Sequence, residues 1–329
     1  MRPGPLRERG VEWVEDWRVF DLPMRTRFRG ITRRRGMLLR GPAGWAEWSP
    51  FEEYDPAEAA QWWRACVETA TLGHPVSVRG EVPVNVTIPA EDPGSAHARV
   101  LASECRTAKV KVAEKGQAAG EDVARVEAVR DALGGNGKLR VDANGGWSVG
   151  QALAMIKDLR AFDLEYVEQP CATVEELAAL RRELARRGWD VPLAADESIR
   201  RSGDPERVVA MGAADVAVIK LQPLGGARAC LELVERLGLP VVISSALESS
   251  VGLDAGVRLA AALPELDQAC GLNTAALLTR DVVEKPLVAE GGVITVREVT
   301  PDLDLLDPVA AEVEQWWLDR LEQVLAVTR

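Results

Sequence analysis

The sequence predicts an α/β protein built on a TIM-like (β/α)-barrel, with a discontinuous α+β capping domain. Three observations predict it. The chain has 329 residues, short apolar runs alternate with helical segments from residue 82 to residue 274, and both ends of the chain break that beat. A barrel needs about 200–250 residues, so the length leaves material for a smaller companion.

The first eighty residues read as a separate unit. Arg18–Leu22 and Met37–Arg40 have the character of short strands. Asp55 then precedes Pro56 and the stretch AEAAQWWRACVETATLG. Asp is a good N-cap, Pro suits the first helical position, and Gly73 suits the stop. Trp62, Trp63, Cys66, Val67 and Ala70 recur at helical spacing, which predicts a buried face rather than a cofactor box.

From Val82 the pattern becomes regular. Strand-like runs occur at VPVNVTI (82–88), AKVKVA (108–113), KLRVDA (138–143), LEYVEQ (164–169), VPLAAD (191–196), DVAVIKL (215–221), PVVISSA (240–246) and QACGLNT (268–274). Helical segments such as EDVARVEAVRDALGG, SVGQALAMIKDLRAF and TVEELAALRRELARRG lie between them. Strands alternating with helices imply parallel βαβ units, and eight of them at a steady spacing argue for a closed ring over an open sheet. No G-x-G-x-x-G follows the first strands, so a dinucleotide site has no support. After residue 285 the beat stops, leaving a short strand and a final helix with Trp316, Trp317, Leu321 and Val324 on one face. The expected division is a cap from residues 1–80 plus 286–329 and a barrel from residues 81–285.

Composition narrows the function classes. With 47% hydrophobic residues and mean hydropathy of −0.08, this is an ordinary globular chain. A formal charge of −11 argues against a nucleic-acid partner, which would require excess Lys and Arg. Against that background, Arg25–Arg40 is a basic island, either a solvated strand face or a lid over an anionic substrate. Cys66, Cys105, Cys171, Cys230 and Cys270 are odd in number and scattered, which fits reduced thiols rather than disulfides or zinc. No apolar stretch of signal-peptide type follows the start, and no run approaches the roughly 18 residues of a membrane span. A cytoplasmic protein with no membrane partner is predicted, its oligomeric state left open, a monomer included.

Functional groups in such a barrel gather at the C-terminal ends of the strands. The second strand ends at Lys111, the third at Asp142, the fourth at Glu168, the fifth at Asp196 and the sixth at Lys220. From Asp142 onward the spacings are 26, 28 and 24 residues, one barrel unit each (168−142, 196−168, 220−196). A single acid at a strand end commonly caps the next helix. Three at equivalent places on consecutive strands, after apolar runs, predict a hard-cation site that suits Mg²⁺, or Mn²⁺, over Zn²⁺.

Lys109 and Lys111 are two apart on a strand and so face the same way, into the barrel, while Val110 and Val112 face the helices. Inward lysines are expensive unless anions are near. Low dielectric and a metal are expected to lower such a lysine's pKa and make it a usable base. The parts suit abstraction of a proton α to a carboxylate. A divalent ion on both carboxylate oxygens stabilises the charge that develops, one lysine removes the proton, and a second faces it.

These residues resemble the enolase superfamily and, within it, the muconate-lactonizing-enzyme subgroup. The resemblance rests on K-V-K at Lys109–Lys111, V-D-A-N at Val141–Asn144, V-E-Q-P at Val167–Pro170, A-D-E-S at Ala195–Ser198 and V-I-K-L-Q-P at Val218–Pro223. It spans the barrel, and the terminal pieces correspond to the superfamily's capping domain. ISSALESSVG (Ile243–Gly252) and GLNTA (Gly271–Ala275) are similar to segments of the subgroup's dehydratases that form o-succinylbenzoate for menaquinone synthesis.

That resemblance implies a Mg²⁺-dependent hydro-lyase acting on a small carboxylate, 2-succinyl-6-hydroxy-2,4-cyclohexadiene-1-carboxylate. Asp142, Glu168 and Asp196 would hold the ion. Lys111 would remove the α-proton and return it to the departing hydroxide in a syn elimination. Lys220 would face the intermediate as a cation. Lys109 would support the metal-bound carboxylate, Ser244 and Ser245 would hold the succinyl carboxylate, and Asn144 would be a further polar group near the substrate. Arg27 is a candidate substrate contact on a separate ground, as part of the basic island that could cover a dicarboxylate.

One departure is Thr107, where an arginine precedes the K-x-K pair in the pattern. The only histidines, His74 and His97, lie far from the seventh strand's end, which argues against a His–Asp racemase. The eighth strand ends without the paired aspartates of a dipeptide epimerase. An N-succinylamino-acid racemase, or another enzyme of the subgroup, remains the alternative, since the same two lysines would serve it.

Overall fold

The structure is a computed structural model that describes residues 4–201 and 205–328. At the N-terminal end β1 (Asp16–Phe28), β2 (Ile31–Gly41) and β3 (Gly44–Trp48) form an antiparallel meander. The two strands expected near residues 18–22 and 37–40 are therefore much longer, and the whole basic island lies in one hairpin. Its turn is Arg29–Gly30, both with positive φ (52° and 81°), the conformation of a primed hairpin turn.

The helix at Pro56–Leu72 starts where Asp55 accepts a hydrogen bond from the Glu58 amide at 2.8 Å. It buries Trp62, Trp63, Cys66 and Ala70, while Val67 is only half-buried. The final helix, Ala311–Thr328, packs on the same core, with the rings of Trp48 and Trp317 edge to face at 5.4 Å. It buries Trp317, Leu321 and Val324, but Trp316 is 39% exposed. Adjacent helical residues point about 100° apart, so Trp316 cannot share the face of Trp317.

The barrel strands follow as β4 (Glu81–Pro83), β5 (Val86–Ile88), β6 (Thr107–Lys111), β7 (Lys138–Asp142), β8 (Leu164–Glu168), β9 (Leu193–Ala195), β10 (Val216–Ile219) and β11 (Val241–Ile243). β5 to β11 form one seven-stranded parallel sheet in chain order. The expected eighth strand is reduced to Cys270 and Gly271, which bridge Val84 on one side and Ser244 on the other and so connect the sheet's two edges. Asn273 already opens a 3-10 turn that runs to Leu277. A Cβ on Gly271 would stand 2.5 Å from the Ser244 hydroxyl, so the closure depends on glycine there.

The expected first strand is split. The Val84 amide donates to Gly292 and the Asn85 amide to Cys270, so the chain changes partner between them. The short strand expected in the tail from Val296 onward is absent; the strand lies just before it, as β12 (Val293–Thr295), and pairs with β4. Inside the ring Tyr166, Ala194, Val216, Val218 and Val242 form a packed floor, while the alternate residues face the helices. Among the described residues no helix is long and apolar enough to cross a membrane.

Cap and barrel are joined through a buried carboxylate. Glu47 on β3 accepts from the Ser249 amide at 3.0 Å, the Gly252 amide at 3.2 Å and the Ser49 hydroxyl at 2.5 Å. Beside it Arg34 donates to the Leu247 carbonyl at 2.9 Å. Burial pushes Glu47 up to about 7 from its ordinary 4.5, against the pull of Arg34. A raised folded-state pKa contributes stability that is full below pH 4.5 and lost as pH rises through 7. The melting temperature should therefore fall between pH 5 and pH 8, and less steeply in Glu47→Gln. Equal slopes in the two proteins would remove Glu47 as a source of the effect.

Candidate active site

Five strand ends present the polar side chains. Lys111, Asp142 and Glu168 are the last residues of β6, β7 and β8, and Asp196 and Lys220 directly follow β9 and β10. β6 and β10 are four steps apart in the sheet order, half-way round an eight-position ring. Lys111 and Lys220 thus stand on opposite sides, with the three carboxylates between them. That much agrees with the expected arrangement.

The contacts are specific. Lys109 donates to both oxygens of Glu168, at 2.8 and 2.9 Å, and lies 3.6 Å from Asp142 Oδ2. Lys111 donates to Asp142 Oδ2 at 2.5 Å and to Asn144 Oδ1 at 2.6 Å. Lys220 donates to Asp196 Oδ2 at 2.6 Å, and Arg200 donates to Asp196 Oδ1 at 3.0 Å. All three carboxylates are buried. Among the described residues no three acidic, His or Cys side chains are gathered tightly enough to enclose an ion as they stand. Ammonium groups face each carboxylate instead.

The electrostatics follow from that packing. Burial disfavours the Lys109 cation, but Glu168 and Asp142 outweigh it and hold its pKa well above the ordinary lysine value. The expectation of a lowered pKa thus fails for Lys109, because two carboxylates face it; it is a fixed cation. Burial likewise works against the Asp142 anion, yet Lys111 and Lys109 keep its pKa below the ordinary value. Asp196 is also held low against burial, by Lys220 and then Arg200. Glu168 behaves differently. Burial, and then the charge of Asp142, push it up to about 7 despite Lys109, with Asp196 adding to the repulsion.

An all-oxygen set of three buried carboxylates that repel one another is the donor chemistry a hard divalent cation requires. The residues present fit such an ion. Their oxygens are buried, and the lysine side chains are long enough to yield.

Other expected residues lie near but apart. Asn144 sits in the left-handed region (φ 46°), which Asn tolerates, with its amide bonded to Asp142 Oδ1 at 3.0 Å. Ser244 and Ser245 are buried where the seventh and eighth strands end. The Ser245 hydroxyl shares a hydrogen with Thr274 at 2.5 Å and accepts from the Leu247 amide at 2.8 Å. Among the described residues the Ser244 hydroxyl makes one long contact, 3.5 Å to the Gly271 carbonyl. Neither serine bonds the lysine–carboxylate cluster among the described residues.

Arg27 is exposed on the hairpin, outside the cluster. The hairpin tip does reach over the site, because the Phe28 ring lies 5.5 Å from Lys111 Nζ. Arg29 is pinned beside it, stacked on Phe51 at 3.9 Å and donating to the Tyr54 hydroxyl at 2.8 Å.

Sequence reasoning assigned no role to Gln169, Glu197 or Arg200, although two of them lie inside the quoted motifs. Gln169 Oε1 accepts from the amides of Asp196 and Ser198, at 3.0 and 3.1 Å, and so fixes the turn that carries Asp196. The signal available was their place beside a strand-end carboxylate.

Residues 94–301 match the family described as "Enolase C-terminal domain-like" and residues 19–70 the one described as "Enolase N-terminal domain-like". The o-succinylbenzoate synthase of Thermobifida fusca is 60% identical over 297 residues, covering 90% of this chain and 91% of that one. The o-succinylbenzoate synthase of Mycolicibacterium smegmatis is 50% identical over 313 residues, covering 94% of each. Among solved structures, the N-succinyl Arg/Lys racemase of Bacillus cereus superposes with a TM-score of 0.72 at 20% identity, over 93% of this chain and 96% of that one. The L-Ala-D/L-Glu epimerase of Bacillus subtilis does so with 0.71 at 20% identity, over 88% and 96%. These distant structures share the fold. The chain belongs to the enolase superfamily and, within it, to the o-succinylbenzoate synthase family.

Proposed function

We propose a division of labour for the reaction that family membership assigns to this chain, dehydration of 2-succinyl-6-hydroxy-2,4-cyclohexadiene-1-carboxylate to o-succinylbenzoate. The observation that carries it is the pair of lysines on opposite sides of three buried carboxylates. Asp142, Glu168 and Asp196 hold the ion, which we take to be Mg²⁺, with Mn²⁺ able to replace it. Bound there, a divalent ion supplies positive charge to the substrate carboxylate as negative charge builds on it.

The chain's own groups do the rest. Lys111, in its neutral form, takes the α-proton with its nitrogen lone pair. The C–H electrons move into the carboxylate, and Lys220 faces that charge from the far side. The carboxylate electrons then return to form the ring's new double bond as the C–O bond breaks. Lys111 gives its proton to the departing hydroxide on the same face, releasing water and leaving an aromatic ring. Lys109, bonded to both oxygens of Glu168, opposes the protonation that burial and Asp142 favour there. Asn144 steadies Lys111, and Ser244 and Ser245 line the end that takes the succinyl carboxylate.

The chain divides for this purpose into a cap of residues 1–80 with 286–329 and a barrel of residues 81–285. The packing of Trp317 on Trp48 supports the first grouping. A cytoplasmic location fits five free, buried cysteines.

The test is aromatization followed by ultraviolet absorbance with Mg²⁺ present, beside N-succinylamino acids in D₂O. Fast aromatization supports dehydration. Exchange of the α-proton for deuterium without aromatization would favour a racemase, which two opposed lysines could also serve. The hairpin is tested separately: Arg27→Ala should raise KM about threefold with kcat unchanged if the basic tip attracts the dicarboxylate. An unchanged KM would mark the island as a solvated face.

A further inference from the structure

The acid that follows Asp196 has no part in the scheme above, yet it sits in the same network. Glu197 Oε1 accepts from Asn144 Nδ2 at 3.3 Å and from Arg200 Nη2 at 2.8 Å. Its other oxygen, Oε2, is buried without a hydrogen-bond partner among the described residues. Arg200, itself largely buried, divides its guanidinium between Glu197 and Asp196, and its third nitrogen lies 3.5 Å from the Tyr54 hydroxyl. A continuous path therefore runs from Lys111 through Asn144, Glu197, Arg200 and Asp196 to Lys220.

The Asn144 amide decides what this path does. A primary amide presents an acceptor at one end and donors at the other, so it holds the Lys111 ammonium only when its oxygen faces that way. Its nitrogen must then find an acceptor, and Glu197 Oε1 is the one it meets. The backbone of Asn144 is already fixed by its bond to Asp142, so amide orientation is the remaining freedom.

We infer that Glu197 is a positioning residue for the dehydration: through Asn144 it sets the direction of Lys111, and through Arg200 it ties that setting to Asp196. The inference rests on the assignment of Lys111 as the base. Because both contacts fall on Oε1, they need one acceptor oxygen rather than a full negative charge. Glutamine supplies that oxygen and alanine does not.

The test compares kcat, KM and Mn²⁺ affinity for the parent, Lys111→Ala, Glu197→Ala, Glu197→Gln, Asn144→Ala and the Glu197→Ala/Asn144→Ala pair. A misdirected base costs turnover, so Glu197→Ala should lower kcat about 10- to 100-fold while KM stays within about twofold. Mn²⁺ affinity should stay within about threefold, since no direct ligand is removed. Glu197→Gln should restore most of the lost kcat. The double variant should be no slower than Asn144→Ala alone, because both changes break one link.

Parental kcat in Glu197→Ala beside an inactive Lys111→Ala would overturn the inference and leave the base assignment standing. So would a Glu197→Gln as slow as the alanine variant, a multiplicative double variant, or a loss of Mn²⁺ binding. Full turnover in Lys111→Ala would overturn the base assignment, and the inference with it.

Discussion

Lys111→Ala should leave a folded protein that no longer aromatizes the cyclohexadiene substrate, with kcat lowered by at least about 10³-fold. The size follows from the part Lys111 plays. General base catalysis by a placed side chain contributes about 10²–10⁴-fold, and here the same nitrogen also returns the proton to the leaving hydroxide. The fold should survive because Lys111 stands at a strand end, with its side chain 18% exposed. Its loss frees Asp142 Oδ2, which keeps Lys109 at 3.6 Å. The melting temperature should therefore move little while absorbance change at the aromatic band disappears. A variant that turns over at the parental rate would remove Lys111 as the base.

Removing the divalent ion should be as damaging, lowering kcat by about 10³-fold or more, with full recovery on adding Mg²⁺. Glu168→Gln should show a similar loss that Mg²⁺ does not reverse. Glu168 is pushed up to about 7 by burial and by Asp142, so an ion that neutralises its neighbours should be welcome there. The chelated protein should nonetheless remain folded, because Lys109, Lys111, Lys220 and Arg200 satisfy the carboxylates without an ion. Glu168→Gln carries a further cost. It strips Lys109 of its closest partner, and breaking a buried pair typically destabilises by about 3–5 kcal/mol. Calorimetry of chelated and variant protein separates the two effects. Undiminished turnover after chelation would contradict the assignment of these three acids.

The ring of strand-end residues was legible in the sequence because the barrel repeats. Lys111, Asp142, Glu168, Asp196 and Lys220 recur one unit apart, and apolar runs before each mark where the strand ends. Helix limits such as Asp55, Pro56 and Gly73 were legible for local reasons, since capping chemistry lies in the adjacent residues.

What stayed hidden depends on contacts distant in sequence. The eighth strand shrinks to two residues, with Gly271 close against Ser244, which no periodicity reveals. The raised pKa of Lys109 depends on a partner 59 residues away. The junction at Glu47 joins residues more than 200 positions apart, and Arg200 meets Tyr54 across 146. Glu197 and Gln169 were visible inside motifs, but their roles needed to be seen in three dimensions. The exposure of Trp316 was a misreading of local geometry, since neighbouring positions on a helix cannot share a face.

Three carboxylates faced here by ammonium groups would hold one divalent ion in front of Lys111. Titrating chelated protein with Mn²⁺, while its magnetic resonance signal and aromatization rate are followed on the same samples, tests it most directly. One ion per chain and a rate that rises in proportion to occupancy are expected. Full rate at zero occupancy, or one ion bound with normal affinity by a variant lacking Glu168, would contradict it.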